Sequence, residues 1–514
     1  MSRPELPGGS ASPREIARFL DSVERRLARL DRAVMLAEWS TYTGRALRSV
    51  ERAHLARSGL LTDSGLRSFL ERAPERPVPV VLGRRLELLR RAALEAQVEH
   101  APEVVRLRAR LEATIVRSRP ILCHRRVDRA TISEILRNDP DPTTRRLAYY
   151  AEEDILRPLE DEVRELIHRR NDAARLLGIA SFPEMRLGFE GLSVARLREL
   201  SDAATAGAAA RIRRFRDNFT RAERHAEWHP WDLAYARERT GRLPEPSFPS
   251  DRMVPAVEHA LRSWGFPRSR LRFRVVRRDL PFGGLTIVPS APHDVRVLVP
   301  PKGGWTYYMV LFHEFGHAVH ARSIRQPTHL LRALDPGYSA FHEGIADLFE
   351  EIASTVEWLA GRPGIGRDPA RRFREGRAVE NLLRAVGTAT AVESEIDLYR
   401  HPDRDWTALH QRRLKRVFGF ADYPPRSFVD SFYVTHPVYL QSYFLALLFR
   451  KQVREAMLHE VGAPFWPNLR IGGWLTERFF RPGARYDWIP RVAEVTGHPF
   501  GPSAFLRSVD RGEP

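Results

Sequence analysis

Apolar residues return every three or four positions along most of this chain, the spacing that gathers them on one face of an α-helix. Four long stretches carry it: Pro13 to about Thr43, about Leu82 to Arg117, Pro142 to Leu177, and Val194 to about Arg224. The first has a marked start, with Ser12 placed to cap it, Pro13 in its first position and Glu15 close behind. Further on, Ile345, Leu348, Phe349, Ile352, Val356 and Leu359 repeat the spacing and leave Glu343, Asp347 and Glu350 as an acidic stripe on the opposite face. Asp335-Pro336-Gly337 breaks the chain before that stripe, so its helix can turn back on the one preceding it. Gly241 to Ser250 and Arg362-Pro363-Gly364 mark other loops. The period changes in one region. Leu271 to Val276 alternates, and Leu285 to Val288 and Val295 to Val299 are rich in β-branched residues between Gly and Pro breaks. The pattern predicts a mostly α fold, a large helical body with one small β-sheet.

Composition adds that this is one integrated unit. No Ser/Gly linker, low-complexity tail or internal repeat divides the 514 residues, although domains of ~150 residues would allow three. A mainly helical N-terminal half spans 1–253, and the half 254–514 holds the sheet and the acidic-stripe helix. The net charge of +18 does not imply nucleic acid as the main partner. Lys302, Lys415 and Lys451 are the only lysines; arginine supplies the other basic charges, interleaved with acids along the helices, and runs such as 411–416 read as solvated helix faces. Cys123 is the only cysteine, which excludes an intramolecular disulfide framework. Met1 to Gly9 contains no apolar signal core, and the apolar tract Tyr443 to Phe449 stops at Arg450, well short of a membrane span. A cytoplasmic location with no membrane partner is the expectation; the oligomeric state stays open.

The chemistry concentrates in HEFGHAVH, residues 313–320. On a helix His313 and His317 lie about 6 Å apart along the axis on one face, so both rings can reach one zinc ion, while Glu314 sits beside the metal as a base for its water. Catalytic zinc needs a third protein ligand and an open position. His320 is about 10.5 Å along the axis from His313, too far to converge, and suits a cavity wall. Ala318 to Ala321 lacks the glycine and histidine of the metzincin pattern. Glu343 is the remaining candidate, with Asp347 one turn on, able to accept the free ring N–H of a liganding histidine. The plain alternative for that stripe is a solvated helix face.

HEFGHAVH resembles the zinc helix of the thimet oligopeptidase and oligoendopeptidase family, and Phe341-His342-Glu343-Gly344-Ile345-Ala346-Asp347 resembles the third-ligand helix of the angiotensin-converting enzyme (peptidyl-dipeptidase A) family. Both are gluzincins. The resemblance implies a large helical peptidase with a small sheet beside the zinc helix and a deep cleft between two helical halves. It implies one zinc per chain on His313, His317 and Glu343, and short peptides as substrates. In both families strands border the zinc helix, and an edge strand there can pair with an extended substrate; Val295 to Val299 is the candidate edge.

Peptide hydrolysis also needs a donor for the developing oxyanion. Both families carry a His…Tyr segment ahead of a helix where this chain has Phe432 to Phe444, and on the converting-enzyme pattern Tyr443 is the first candidate, Tyr439 and His436 the second. Ser431 and Ser442 stand where that family has a lysine and an arginine, and Tyr433 where it has its histidine donor, so the resemblance does not by itself imply dipeptide release or chloride dependence, and oligopeptidase and peptidyl-dipeptidase types both stay open. The implied activity is zinc-dependent hydrolysis with Glu314 as general base. Two rivals remain: a non-catalytic, zinc-stabilised helical scaffold with a basic binding surface, against which an intact Glu314 counts, and a gluzincin aminopeptidase, for which no acidic motif stands out.

Overall fold

Prolines divide two of the helical stretches expected in the N-terminal half. In the computed structural model, which describes residues 12–44, 49–72, 78–224, 226–239, 241–280, 283–332 and 337–513, the first helix runs Pro13–Tyr42. Its start is a reciprocal cap: the Ser12 hydroxyl accepts the Glu15 N–H, and the Glu15 carboxylate accepts the Ser12 N–H. The expected stretch 82–117 is two helices, Val80–Glu99 and Pro102–Arg117, because Pro102 can open a helix but has no N–H to continue one. The stretch 142–177 is divided into Pro142–Tyr150 and, after a turn at 151–152 that holds no proline, Glu153–Leu156, then a 3₁₀ turn at Arg157–Leu159 around Pro158, and Glu160–Leu176. Val194–Glu223 contains no proline and runs unbroken.

The rest of the chain is also mostly helical, with a three-stranded mixed sheet and a two-residue hairpin, Ile121–Leu122 with Arg125–Arg126. In the sheet, Asp294–Val299 pairs parallel with Arg274–Arg277 on one side and antiparallel with Leu285–Ser290 on the other. The expectation that Val295 to Val299 forms an edge is therefore wrong; it is the central strand. Val295, Val297, Leu298 and Val299 are all buried, as befits a strand covered on both faces and flanked on both sides. The edge beside the HEFGHAVH helix is Leu285–Ser290, whose Ile287 packs with Leu298 under Trp39 of the first helix.

That motif helix, Trp305–Ser323, is sheathed in apolar contacts by Leu311, Phe312, Phe315, Ala318 and Val319. Helix Ser339–Glu350 packs against it and, on its other side, against the long helix Leu440–Val461. Two glycines allow the approach. A Cβ on Gly316 would come 2.8 Å from the Ala346 Cα, and one on Gly344 would overlap the Phe449 ring. Gly337, with φ +97°, opens the turn into helix Ser339–Glu350, whereas Asp335 and Pro336 of the expected break, like Met1 to Gly9, lie outside the described residues. One continuous apolar core includes Leu20 and Leu166 as well as Val297, Phe349 and Phe505. Among the described residues no helix is long and apolar enough to cross a membrane.

Candidate metal centre

Helical periodicity puts His313 and His317 on one face of the motif helix, and their rings meet edge to face with centroids 4.9 Å apart. The packing of helix Ser339–Glu350 brings Glu343 to them. His313 Nε2 lies 3.4 Å from Glu343 Oε2, and ligand atoms of His313, His317 and Glu343 all fall within 4.8 Å of one another. Two imidazoles and a carboxylate are the donor set that suits zinc, and zinc–ligand bonds of about 2.0–2.2 Å can span separations of this size.

The acidic stripe is not a solvated face. Glu343, Asp347 and Glu350 are all at least nine-tenths buried, turned toward the motif helix. Asp347 and Glu350 lie on the other ring nitrogen of His313, with Nδ1 3.5 Å from Asp347 Oδ1 and 3.6 Å from Glu350 Oε2. Asp347 thus lies on the ring nitrogen that faces away from Glu343, and Glu350 lies beside it. Arg384 and Arg377 of helix Arg367–Arg400 face these carboxylates at 3.4 Å each and offset their buried charge.

Burial and charge pull the titrations apart. Burial opposes charge on His313, but the carboxylates of Asp347, Glu343 and Glu350 outweigh it and raise the ring pKa well above its ordinary value. His317 goes the other way, to about 4, through burial and the nearby charge of His313. For Glu343, burial is outweighed by His313 and His317, so its carboxyl sits low; for Glu314, burial dominates and the carboxyl sits high. Glu314 is 7% exposed and held by Thr286 of the edge strand, whose hydroxyl donates at 2.8 Å to the carboxylate and lies 2.9 Å from the Glu314 backbone oxygen.

The aromatic candidates come from the segment before and at the start of helix Leu440–Val461. The Tyr439 hydroxyl donates to Glu343 Oε1 at 2.9 Å. Tyr443 packs edge to face on Tyr439, with centroids 5.5 Å apart, and its hydroxyl pKa is raised by burial and by the negative charge of Glu343. His436 is farther out: it is exposed, bonds the Thr435 hydroxyl at 2.8 Å, and meets the Tyr439 ring with centroids 5.9 Å apart. His320 does not line a wall. It is 1% exposed, packed among Phe341, His342 and Phe480 with neither ring nitrogen bonded among the described residues, and burial lowers its pKa to about 3.

Sequence reasoning missed Thr286, Arg377, Arg384 and a support for the tyrosine segment. Arg170, fully buried, donates to the backbone oxygens of Tyr433 and Val434, and Glu395 accepts the Val438 N–H at 2.7 Å. Val438 has φ +49°, a costly conformation for a β-branched residue, which Glu395 helps to hold. In an arginine-rich chain nothing marks these particular residues.

Burial raises the Glu395 carboxyl from 4.5 to about 8. Its native form thus binds the proton more tightly than the unfolded chain does, and the associated stability is lost as pH rises through that window. Glu395→Gln keeps an acceptor for Val438 and removes the titration. Its Tm should therefore fall less than that of wild type between about pH 5 and 8; parallel melting curves across that range would reject this role. Matched against models of known protein families and against curated proteins, the chain finds no counterpart in either.

Proposed function

We propose that the chain is a zinc-dependent peptidase acting on short peptides. The observation that carries this proposal is the convergence of His313, His317 and Glu343 beside a buried carboxylate, Glu314, that is not one of the converging donors. A purely structural metal site has no use for such a base. Bound zinc would acidify a water and polarise the scissile carbonyl. Asp347 and Glu350 orient the His313 ring from its Nδ1 side. Thr286 fixes the Glu314 carboxylate, whose raised pKa equips it to take a proton from the attacking water and hand it to the leaving amine. Tyr443 supplies a hydroxyl donor for the developing oxyanion, while the Tyr439 hydroxyl donates to Glu343.

The edge strand Leu285–Ser290, which carries Thr286, offers the backbone against which an extended peptide would align. A cleft between the helical halves, restricting substrates to short peptides in the cytoplasm, completes the proposal. Elemental analysis of the purified protein should find one zinc per chain, lost in His313→Ala/His317→Ala. Undiminished zinc in that double variant would remove the assignment.

A further inference from the structure

Beyond the metal cluster, the motif helix ends at a second concentration of chemistry. Arg270, Arg322, Arg325 and Arg332 line one open cavity of about 760 Å³, and among the described residues no acidic side chain lines it with them. Arginines buried elsewhere, such as Arg84, Arg85, Arg145 and Arg170, each meet a carboxylate. Among the described residues the four here bond backbone oxygens instead. Arg322 donates to the Pro292 oxygen at 2.8 Å, Arg270 to that of Arg322 at 2.8 Å, and Arg325 to that of Ile324 at 2.8 Å. Arg332 donates to Thr328, Ala291 and Pro327 oxygens, each at 3.1 Å. The neighbouring acid, Asp294, is engaged by Arg32 and Arg296.

Carbonyl bonds orient a guanidinium without neutralising it. Each arginine brings five N–H donors, so several per residue stay available after these bonds are made. The result is four fixed positive charges around one concavity, with the ordering cost of long side chains already met by the fold. Mutual repulsion at such a site costs stability, and an anion relieves it. Guanidinium forks match phosphate oxygens in pairs, and the cavity falls within the ~300–1,000 Å³ of small-molecule sites.

We propose that this cavity binds a small polyphosphorylated molecule. Arg322 lies nine residues beyond His313, about 13.5 Å along the helix axis, so the site is separate from the metal cluster and independent of peptide hydrolysis there. A single concavity of this size, with Pro292 and Pro327 on its rim, favours a compact ligand over an extended nucleic acid or acidic peptide.

Inorganic tripolyphosphate, titrated calorimetrically into the full chain, is the probe. Saturable binding is expected, weakening as salt rises. Arg325→Glu, at an exposed position, should weaken it by at least about tenfold, as loss of a charge-assisted contact implies. Arg412→Glu makes the same charge change at an exposed position on helix Trp406–Phe418, away from the cavity, and should leave affinity within about twofold. If Arg325→Glu melts early, Arg270→Gln must show the loss instead. Absence of saturable binding, equal weakening by Arg412→Glu, or tighter binding of an acidic peptide or single-stranded oligonucleotide than of tripolyphosphate would each overturn the proposal.

Discussion

Glu314→Gln should retain its zinc and its fold while losing nearly all turnover. The amide keeps the shape of the carboxylate and can still accept the Thr286 hydroxyl, the contact that holds residue 314 at 2.8 Å, so the local packing survives. What it cannot do is take a proton from water. General-base catalysis of this kind contributes about 10²–10⁴ in rate, and here the same group also returns the proton to the leaving amine, so the upper end of that range is expected. Zinc content, melting temperature and cleavage of a mixed peptide library followed by mass spectrometry, run beside wild type, separate ligation from catalysis. Hydrolysis at the wild-type rate would end the peptidase mechanism. Full zinc binding by a wild-type protein that cleaves no peptide would favour the scaffold.

Tyr443→Phe should lower kcat far more than it raises KM. A hydroxyl aimed at the developing oxyanion acts in the transition state and touches the ground-state carbonyl little, so its removal costs about 10²–10³ in rate. Tyr439 offers a sharp contrast, because its hydroxyl already donates to Glu343, one of the candidate ligands. Tyr439→Phe would leave that carboxylate oxygen without its partner and should loosen zinc as well as slow turnover. Zinc affinity therefore tells the two tyrosines apart where rate alone would not. If Tyr443→Phe stays within a few-fold of wild type while Tyr439→Phe abolishes kcat with zinc fully bound, the oxyanion donor is one helical turn earlier. His436→Ala should matter least, since that ring is exposed and bonded to Thr435.

Local periodicity made much of this site readable in one dimension. His313 and His317 share a helix face because they are one turn apart, and Glu343 and Asp347 share another for the same reason; such placements depend on backbone geometry within a few residues. The small sheet was readable from its β-branched runs, and the capped start at Ser12 from three adjacent residue types. Pro102 and Pro158 were present in the same sequence, yet apolar spacing continued through them and hid two helix breaks.

Relations between distant segments were another matter. Strand order depends on which backbones meet, and a run of buried valines is compatible with a central or an edge position until its neighbours are in place. The acidic stripe reads alike whether it faces water or a second helix; Gly316 and Gly344, by letting three helices close on one another, bury it. Tyr439 meets Glu343 across 96 residues, and Arg384, one arginine among many, meets Asp347 across 37. Periodicity along the chain therefore determines which side chains share a face, because that needs only the repeat of the backbone. Which faces then meet, and so which charges are buried, paired or left open to a ligand, is settled by packing between elements whose separation in sequence carries no geometric signal.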